Sequence, residues 1–320
     1  MKMPSLRFIS PARLKELGIV GMNMRNVRLI GGNNPRRLYS LVDDKLKTKI
    51  MAEAAGIPVP RLLGVVRVQQ QVRGLVPFLS GQPDFVVKPA NGSGGKGILV
   101  ITGRDGDGFV KSDGTVISRV DLHRHASNVL SGLFSLGGRP DVAMLEEKII
   151  FSDVFDGFSF QGVPDIRIIV YKGYPVMAMA RLSTANSRGK ANLHQGAVGT
   201  GLDIGTGRAL LAIQHGAPLE KHPDTGKRLA DLMIPEWTEC LHLAARCHEM
   251  TGLGYLGVDI VLDKHRGPLI LELNARPGLA IQMANGTGLM PRLAAIDALD
   301  QPHETVPERV EFSLVSFRPQ

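Results

Sequence analysis

Cysteine is nearly missing from this chain: two residues in 320, Cys240 and Cys247. Two thiols cannot build a disulfide framework, which sets aside the small stapled folds of secreted proteins. They lie seven apart on one expected helix, near His242 and His248, and read as a buried apolar face rather than a zinc site. Aromatics are scarce at 5%, with a single Trp, so a core must be built from aliphatic side chains. No window reaches the roughly 18 consecutive apolar residues of a membrane span, and the N-terminus MKMPSLRFISPARLK has no long apolar stretch. The reading is a cytoplasmic protein without signal peptide or membrane span. No run of five like charges occurs, which argues against a nucleic-acid-binding tail. There is no Ser–His–Asp signature, no internal repeat and no low-complexity segment.

What is present is a 43% hydrophobic chain, long enough for one large domain or two lobes. Its 37 glycines announce tight turns and close backbone approaches. The net charge of +8 fits either a soluble protein with surplus lysine and arginine or attraction to an anionic ligand or partner.

A short helix is expected near 11–17, then loop through NMRNVRLIGGNNPRRLY. Leu46, Ile50 and Ala54 recur at helical spacing, with Gly56 and Pro58 as the stop. RLLGVVRV reads as a strand and 69–79 as a short helix. DFVVKP and GILVIT read as strands joined by a glycine loop, and GRDGDGFVKSDGTVI as a hairpin region with Asp-Gly turns. A helix over 121–136 and a strand at VAMLEEKII follow. DIRIIVYKGYPVMAMARLS should fold back at Lys172–Gly173. The polar loop TANSRGKANLHQGAVGTGLDI precedes a helix over 235–250 that Gly252 ends. GYLGVDIVLDKHRGPLILELNARPG is a further hairpin, and the tail after 300 is polar, then strand-like at VEFSLVSF. Elements alternate without βαβ regularity, which favours α+β with antiparallel sheets over a doubly wound sheet.

The stretch DFVVKPANGSGGKGILV sets glycines beside lysine. A Walker A loop needs G-x-x-x-x-G-K-[ST]. Counted back from Gly95–Lys96, the first position is Ala90, and Lys96 is followed by Gly97, so both ends fail. A Rossmann fingerprint should open a helix, whereas GILVIT is strand-like. Two readings remain: a glycine hairpin whose backbone N–H groups close over phosphates, with Lys88 on the preceding strand, or a surface turn with solvated lysines.

In GVDIVLDKHRGPLILELN, folding about the midpoint between His265 and Arg266 sets Asp259 opposite Glu272. Glu272 and Asn274 are two apart and share that face. Three oxygen-bearing side chains then converge within apolar sequence, where an unpaired carboxylate is costly. Hard oxygen ligands beside a phosphate site suit Mg²⁺; an edge hairpin with polar residues outward is the plainer alternative. MLEEKI offers paired acids at a strand end, for an adenine amino group or ribose hydroxyls, or simply for solvent. Asp165 and Arg167 share a strand face by parity, and Arg181 lies on the partner strand. They serve charge stabilisation in phosphoryl or acyl transfer, or a structural ion pair. Lys190, Asn192 and His194 in KANLHQGA lie in a loop that could order over a substrate.

Taken in chain order, DKLKTKIMAEAAGIPVP, FVVKPANGSGGKGILV, MLEEKI, DIRIIV, ANLHQGA and GVDIVLD…LILELNARPG resemble the ATP-grasp ligases. Within them the chain is similar to the RimK-type α-L-glutamate ligases, which add glutamate to a ribosomal-protein C-terminus. The resemblance covers roughly residues 41–285. It implies an α+β ATP-grasp domain over 41–300, with ATP held between a small lobe (about 60–145) and a second lobe (about 146–300). Residues 1–40 and 301–320 flank it. Lys88, helped by Lys45, would touch the phosphates. Ser93, Gly94, Gly95, Lys96 and Gly97 would form the phosphate lid, and Glu146, Glu147 and Ile149 would meet adenine and ribose. Lys190 and Asn192 sit where the family's loop meets the phosphates. Asp259, Glu272 and Asn274 match the Mg²⁺ ligands, with Mn²⁺ able to substitute. Arg167 and Arg181 would stabilise an acyl phosphate.

The resemblance further implies amide formation in two steps, from ATP and a carboxylate to an acyl phosphate, and from that and an amine to the amide. The substrates would be a small amino acid and a carboxylate or peptide acceptor, and no nucleic acid. Two departures stand out. Only about 40 residues precede DDKLKTK, where these ligases carry a full domain, so the substrate differs or a protein partner completes the site; a homo-oligomer is a further option. Arg276 replaces a smaller residue, giving either a cation for an acidic substrate or an ion pair. The alternatives are a nucleotide-binding regulator or scaffold without turnover, and phosphate transfer to a sugar or other acceptor.

Overall fold

The computed structural model describes residues 9–92 and 94–318. The chain forms two compact units. The smaller takes Tyr39–Ser152 and Val261–Leu273; the larger takes the chain up to Leu38, Asp153–Ile260, and the chain from Asn274. No helix among the described residues is long and apolar enough to cross a membrane.

The smaller unit is built on β1 (Leu62–Val66), β2 (Phe85–Pro89), β3 (Leu99–Asp105), β4 (Gly108–Lys111), β5 (Val116–Ile117) and β6 (Ala143–Glu146). All are antiparallel, in the order β1-β6-β2-β3-β4-β5. Strand parity divides β2 between two faces. Phe85 and Val87 pack with Ile101, Phe109 and Leu145 and with Leu122, Ala126 and Val129 of the helix Arg119–Leu130. A capping box between Ser118 and Asp121 starts that helix. On the other face Met144 packs with Ala90 and with Leu46 of the helix Lys45–Ala54, whose N-terminus the Asp44 carboxylate caps.

The larger unit carries β7 (Asp165–Tyr171), β8 (Tyr174–Leu182), β9 (Val198–Leu202), β10 (Ala209–Gln214), β11 (Ala217–Pro218) and most of β12 (Tyr255–Asp263); β13 (Gly267–Asn274) continues this sheet but falls in the smaller unit up to Leu273. The sheet order is β11-β10-β9-β8-β7-β12-β13. The chain leaves this unit within β12 after Ile260 and returns at Asn274. Helices Trp237–Thr251 and Val306–Ser316 and the short helix Ile281–Asn285 pack on β7–β10. That covering is why β7 and β8 read as near-continuous apolar runs rather than alternating ones. Lys172 and Gly173, at φ +49° and +86°, make the expected two-residue turn between them.

The α+β antiparallel architecture and the principal hairpins stand as expected, and both cysteines are fully buried in the helix Trp237–Thr251. Several local expectations change. VEFSLVSF is helix, not strand: Thr305 and Glu308 form a capping box, Pro307 sits in the first turn, and Val310, Ser313 and Phe317 fall at helical spacing and are buried. The stretch expected as loop after residue 22 is helical, including a π-helix over Arg25–Gly31. Residues 69–79 form two short helices, Gln69–Val72 and Leu75–Phe78. The strand at VAMLEEKII ends at Glu146. The presumed polar loop gives up VGTGL to β9.

Candidate active site

In the smaller unit Glu146 lies across β2 from Val86, and Lys88 lies across from Met144. Lys88 and Glu146 are therefore diagonal neighbours on the face covered by the helix Lys45–Ala54. Lys88 Nζ is 2.7 Å from one Glu146 oxygen, and Lys49 Nζ is 2.9 Å from the other. All three side chains are buried. Lys49 also donates to the Pro60 carbonyl. Burial pushes the Glu146 carboxyl upward, but the two lysines outweigh it and hold the group below the usual glutamate range. Burial also depresses Lys49, with Lys88 adding to the effect and Glu146 opposing it. Two buried ammonium groups thus share one buried carboxylate, leaving a positive excess of the kind an anionic ligand neutralises.

One turn earlier on the helix, Lys45 Nζ donates to the Gly92 carbonyl at 2.6 Å and stands 3.3 Å from a Glu272 oxygen. Lys45 is thereby tied to the base of the glycine loop. Gly94, Gly95 and Gly97 all have φ between +63° and +75°, a region closed to most side chains. Gly97 also leaves no room, since a Cβ there would lie 2.5 Å from the Phe134 ring. Gly94, Gly95 and Lys96 are exposed; Ser93 lies outside the described residues. Asp141 anchors the loop's start, accepting from Asn91 N and Nδ2, Ser135 Oγ and Val142 N.

The expected nucleotide-base contacts are otherwise engaged. Glu146 is enclosed by lysines. Glu147 bonds the Arg61 N–H at 2.8 Å and pairs with Arg266, and Ile149 is half-buried in the segment after β6.

In the larger unit Asp165 lies directly across from Arg181, and Asp259 directly across from Arg167. Arg181 forms a two-pronged pair with Asp165 at 2.5 and 2.6 Å. Arg167 forms a second with Asp259, its Nη2 at 2.7 Å. Arg181 Nη2 also reaches Asp259 at 2.9 Å, and Asn274 Nδ2 donates to it at 3.3 Å. The quartet is neutral and buried. Burial, reinforced by Asp259 and opposed by Arg181, pushes the Asp165 carboxyl up to about 6. Asp259 is raised by burial but pulled below the usual range by its two arginines.

The metal expectation meets this geometry directly. Carboxylate and amide oxygens are the right chemistry for Mg²⁺. Asp259, however, already faces four N–H groups, about as many as a carboxylate has lone-pair positions. Glu272 belongs to the smaller unit and lies against Lys45. Among the described residues no three His, Cys, Asp or Glu are grouped to hold a metal ion. As placed, Asp259 is saturated by N–H donors and has no open oxygen for a metal.

Of the remaining candidates, Lys190 and His194 are exposed. Asn192 caps the single turn Leu193–Gln195, accepting from His194 N–H at 3.0 Å. Arg276 is exposed just after β13. Lys49 and Asp141 were not singled out from the sequence. Lys49 had a readable signal, standing one helical turn after Lys45 between the inward-facing Leu46 and Ala52.

A family model described as sugar-transfer associated ATP-grasp matches residues 24–298. A probable alpha-L-glutamate ligase of Picosynechococcus is 24% identical over 80% of this chain and 64% of its own length. A second protein of that name, from Maridesulfovibrio salexigens, is 25% identical over 74% of this chain and 56% of its own. The chain thus spans less than two thirds of these curated relatives. Among solved structures, the ATP-grasp ligase PsnB with a minimal precursor aligns over 82% of this chain and 62% of its own, at 16% identity and TM-score 0.44. D-alanyl-alanine synthetase A of Vibrio cholerae aligns over 87% and 66%, at 11% identity and TM-score 0.45.

Proposed function

The chain belongs to the sugar-transfer associated ATP-grasp family, and on that premise we propose that it is an ATP-dependent carboxylate–amine ligase. In this reading a carboxylate oxygen attacks the γ-phosphorus of ATP and ADP departs, leaving an acyl phosphate. An amine then attacks the acyl carbon, phosphate leaves, and the nitrogen loses its proton as the amide forms. ATP arrives as its Mg²⁺ or Mn²⁺ complex, so the ion enters as part of the substrate, and no step is assigned to a protein-held metal. An amino acid such as glutamate, and a peptide or small acceptor, are the substrates in keeping with the names of the curated relatives.

The observation that carries the reading is the buried Lys49–Glu146–Lys88 group with its cationic excess. It shares the smaller unit with a glycine loop whose left-handed residues Gly94, Gly95 and Gly97 are of the kind that turns backbone N–H groups toward phosphate. In the larger unit Arg167 and Arg181 are the donors for a developing acyl phosphate. Asp165 holds Arg181 in place across the strands, and Asn274 does the same for Asp259.

The test uses an acid labelled with heavy oxygen in its carboxylate, incubated with ATP and a panel of amino acids. A ligase transfers one labelled oxygen to the released phosphate and yields an amide. Unlabelled phosphate, or a phosphorylated acceptor without amide, refutes it. A second reading, a nucleotide-binding regulator without turnover, is favoured by the closed arginine shell around Asp259. It predicts ATP binding with no ADP formed for any acceptor.

A further inference from the structure

The basic charge of this chain is not spread evenly. Residues 9–38 hold six of the 38 Lys and Arg but only one of the 30 Asp and Glu, so more than half of the net +8 lies there. The ligase reading does not use this charge. The same stretch also displays apolar side chains to solvent: Ile9, Leu14, Met22 at 67% exposure and Val27 at 75%.

The inner side of the segment is fixed on the larger unit. The Leu17 and Gly18 carbonyls accept from Gly288 and Met290 N–H groups. Val20 exchanges two hydrogen bonds with the Gln282 side chain. Arg28 pairs with Asp297 at the far end of the helix Met290–Asp297, and Leu29 and Ile30 are buried. Residues 17–30 therefore run along that helix with their inward side spent. Met22 and Val27, five residues apart across the α-to-π junction, lie about one turn from each other on the outward side. Arg36 and Arg37 follow, exposed in a short 3₁₀ turn.

Cations interleaved with exposed aliphatic side chains suit the boundary of an anionic bilayer, where the charges meet lipid headgroups and the apolar tips enter the acyl region. A single-stranded nucleic acid would call on stacking aromatics, and residues 9–38 contain none; a duplex, which needs only cations, would leave the exposed aliphatic side chains unused. We infer that the basic segment 9–38 is a docking surface for an anionic lipid bilayer. Because its backbone is already held in place, docking needs no folding of the segment.

The test is sedimentation of the full chain with vesicles of phosphatidylcholine, alone or mixed with phosphatidylglycerol. Binding should require phosphatidylglycerol and weaken with salt. Arg36→Glu with Arg37→Glu should lower the vesicle partition coefficient by roughly tenfold or more. Met22→Ser with Val27→Ser, at sites too exposed to unsettle the fold, should lower it severalfold without changing retention on a polyanionic heparin column. Arg73→Glu with Arg139→Glu, an equal charge change at exposed sites in the smaller unit, should leave most of the binding intact. Equal loss from that control pair would overturn the proposal by making overall charge the cause. Absence of vesicle binding, or duplex DNA binding as tight as vesicle binding and indifferent to the Met22 and Val27 changes, would overturn it as well.

Discussion

Glu146→Gln is the sharpest probe of the smaller unit, because it keeps the shape of the side chain and removes only its charge. The wild-type carboxylate is 3% exposed and lies 2.7 and 2.9 Å from two buried ammonium groups. Neutralising it leaves two like charges together in a poorly solvated place. Breaking a buried pair in this way costs about 3–5 kcal/mol, and the partners' burial puts this case in the upper half of that range. The deficit should depend on pH in a defined sense. Glu146 has a folded pKa below its ordinary 4.5, so its contribution is complete above that value and is lost as pH falls through the folded value. Lys49 is depressed below 10.5, so its burial costs stability at lower pH, and that cost vanishes as pH rises past 10.5. The difference between wild type and variant is therefore largest near neutrality. It shrinks in acid, where wild type loses the carboxylate, and in alkali, where the variant sheds its surplus protons. Urea midpoints across pH measure it, and adding Lys49→Met to Glu146→Gln should recover part of the loss by removing one stranded cation. A deficit under about 1 kcal/mol, the size expected of an exposed pair, or one that does not vary with pH, would refute the reasoning.

Arg181→Met should cost a comparable 3–5 kcal/mol or so, since it strands the buried Asp165 carboxylate and takes from Asp259 one of its two arginines. Asp165 has a folded pKa raised to about 6, so its ionised form costs stability above that pH and the cost fades as pH falls toward 3.8. Denaturant midpoints on either side of pH 6 should accordingly show a smaller deficit on the acid side. In the glycine loop, Gly94→Ala meets only a backbone penalty of about 1 kcal/mol, because a Cβ there has open space. Gly97→Ala adds a clash with Phe134 and should lower the thermal midpoint further, while both should weaken ATP binding measured by calorimetry.

Much of the fold was legible because local chemistry fixes it. Lys172–Gly173 between two apolar runs can hardly be anything but a tight turn, and Gly252 at φ +68° ends its helix as the sequence suggests. The errors fall where one residue pattern serves two periods. VEFSLVSF alternates like a strand, yet Thr305 and Glu308 three residues apart announce a helix start, and a strand reading overlooks the cap. In the helix Lys45–Ala54 the spacing of Leu46, Ile50 and Ala54 signals a helix without marking its buried stripe. Ile50 is 51% exposed, and the buried side runs through Leu46, Lys49 and Ala52. A lysine on the inward stripe looks like an error in an apolar pattern until Glu146 is known to await it, and that partner lies 97 positions away on β6.

The arginine quartet was legible only in part, for a related reason. Parity places Asp165 and Arg167 on one face, but the hairpin turn by itself sets Asp165 opposite Ala180, and it takes a bulge between Ile169 and Val170 to bring Arg181 across from it. Neither reveals that β12 pairs with β7 in the register that puts Asp259 opposite Arg167. That long-range register decides the electrostatics of the face. Without it Asp259 is a bare carboxylate seeking a cation; with it, Asp259 is the shared acceptor of two arginines. The two buried clusters then differ in kind. The quartet balances its own charge, and an incoming cation must displace an arginine from Asp259. The Lys49–Glu146–Lys88 group is left with a positive excess, and an incoming phosphate meets that excess without having to displace a carboxylate from it. Phosphate binding should accordingly survive Asp259→Asn and fail with Lys88→Met, an ordering that calorimetry with ATP can read directly.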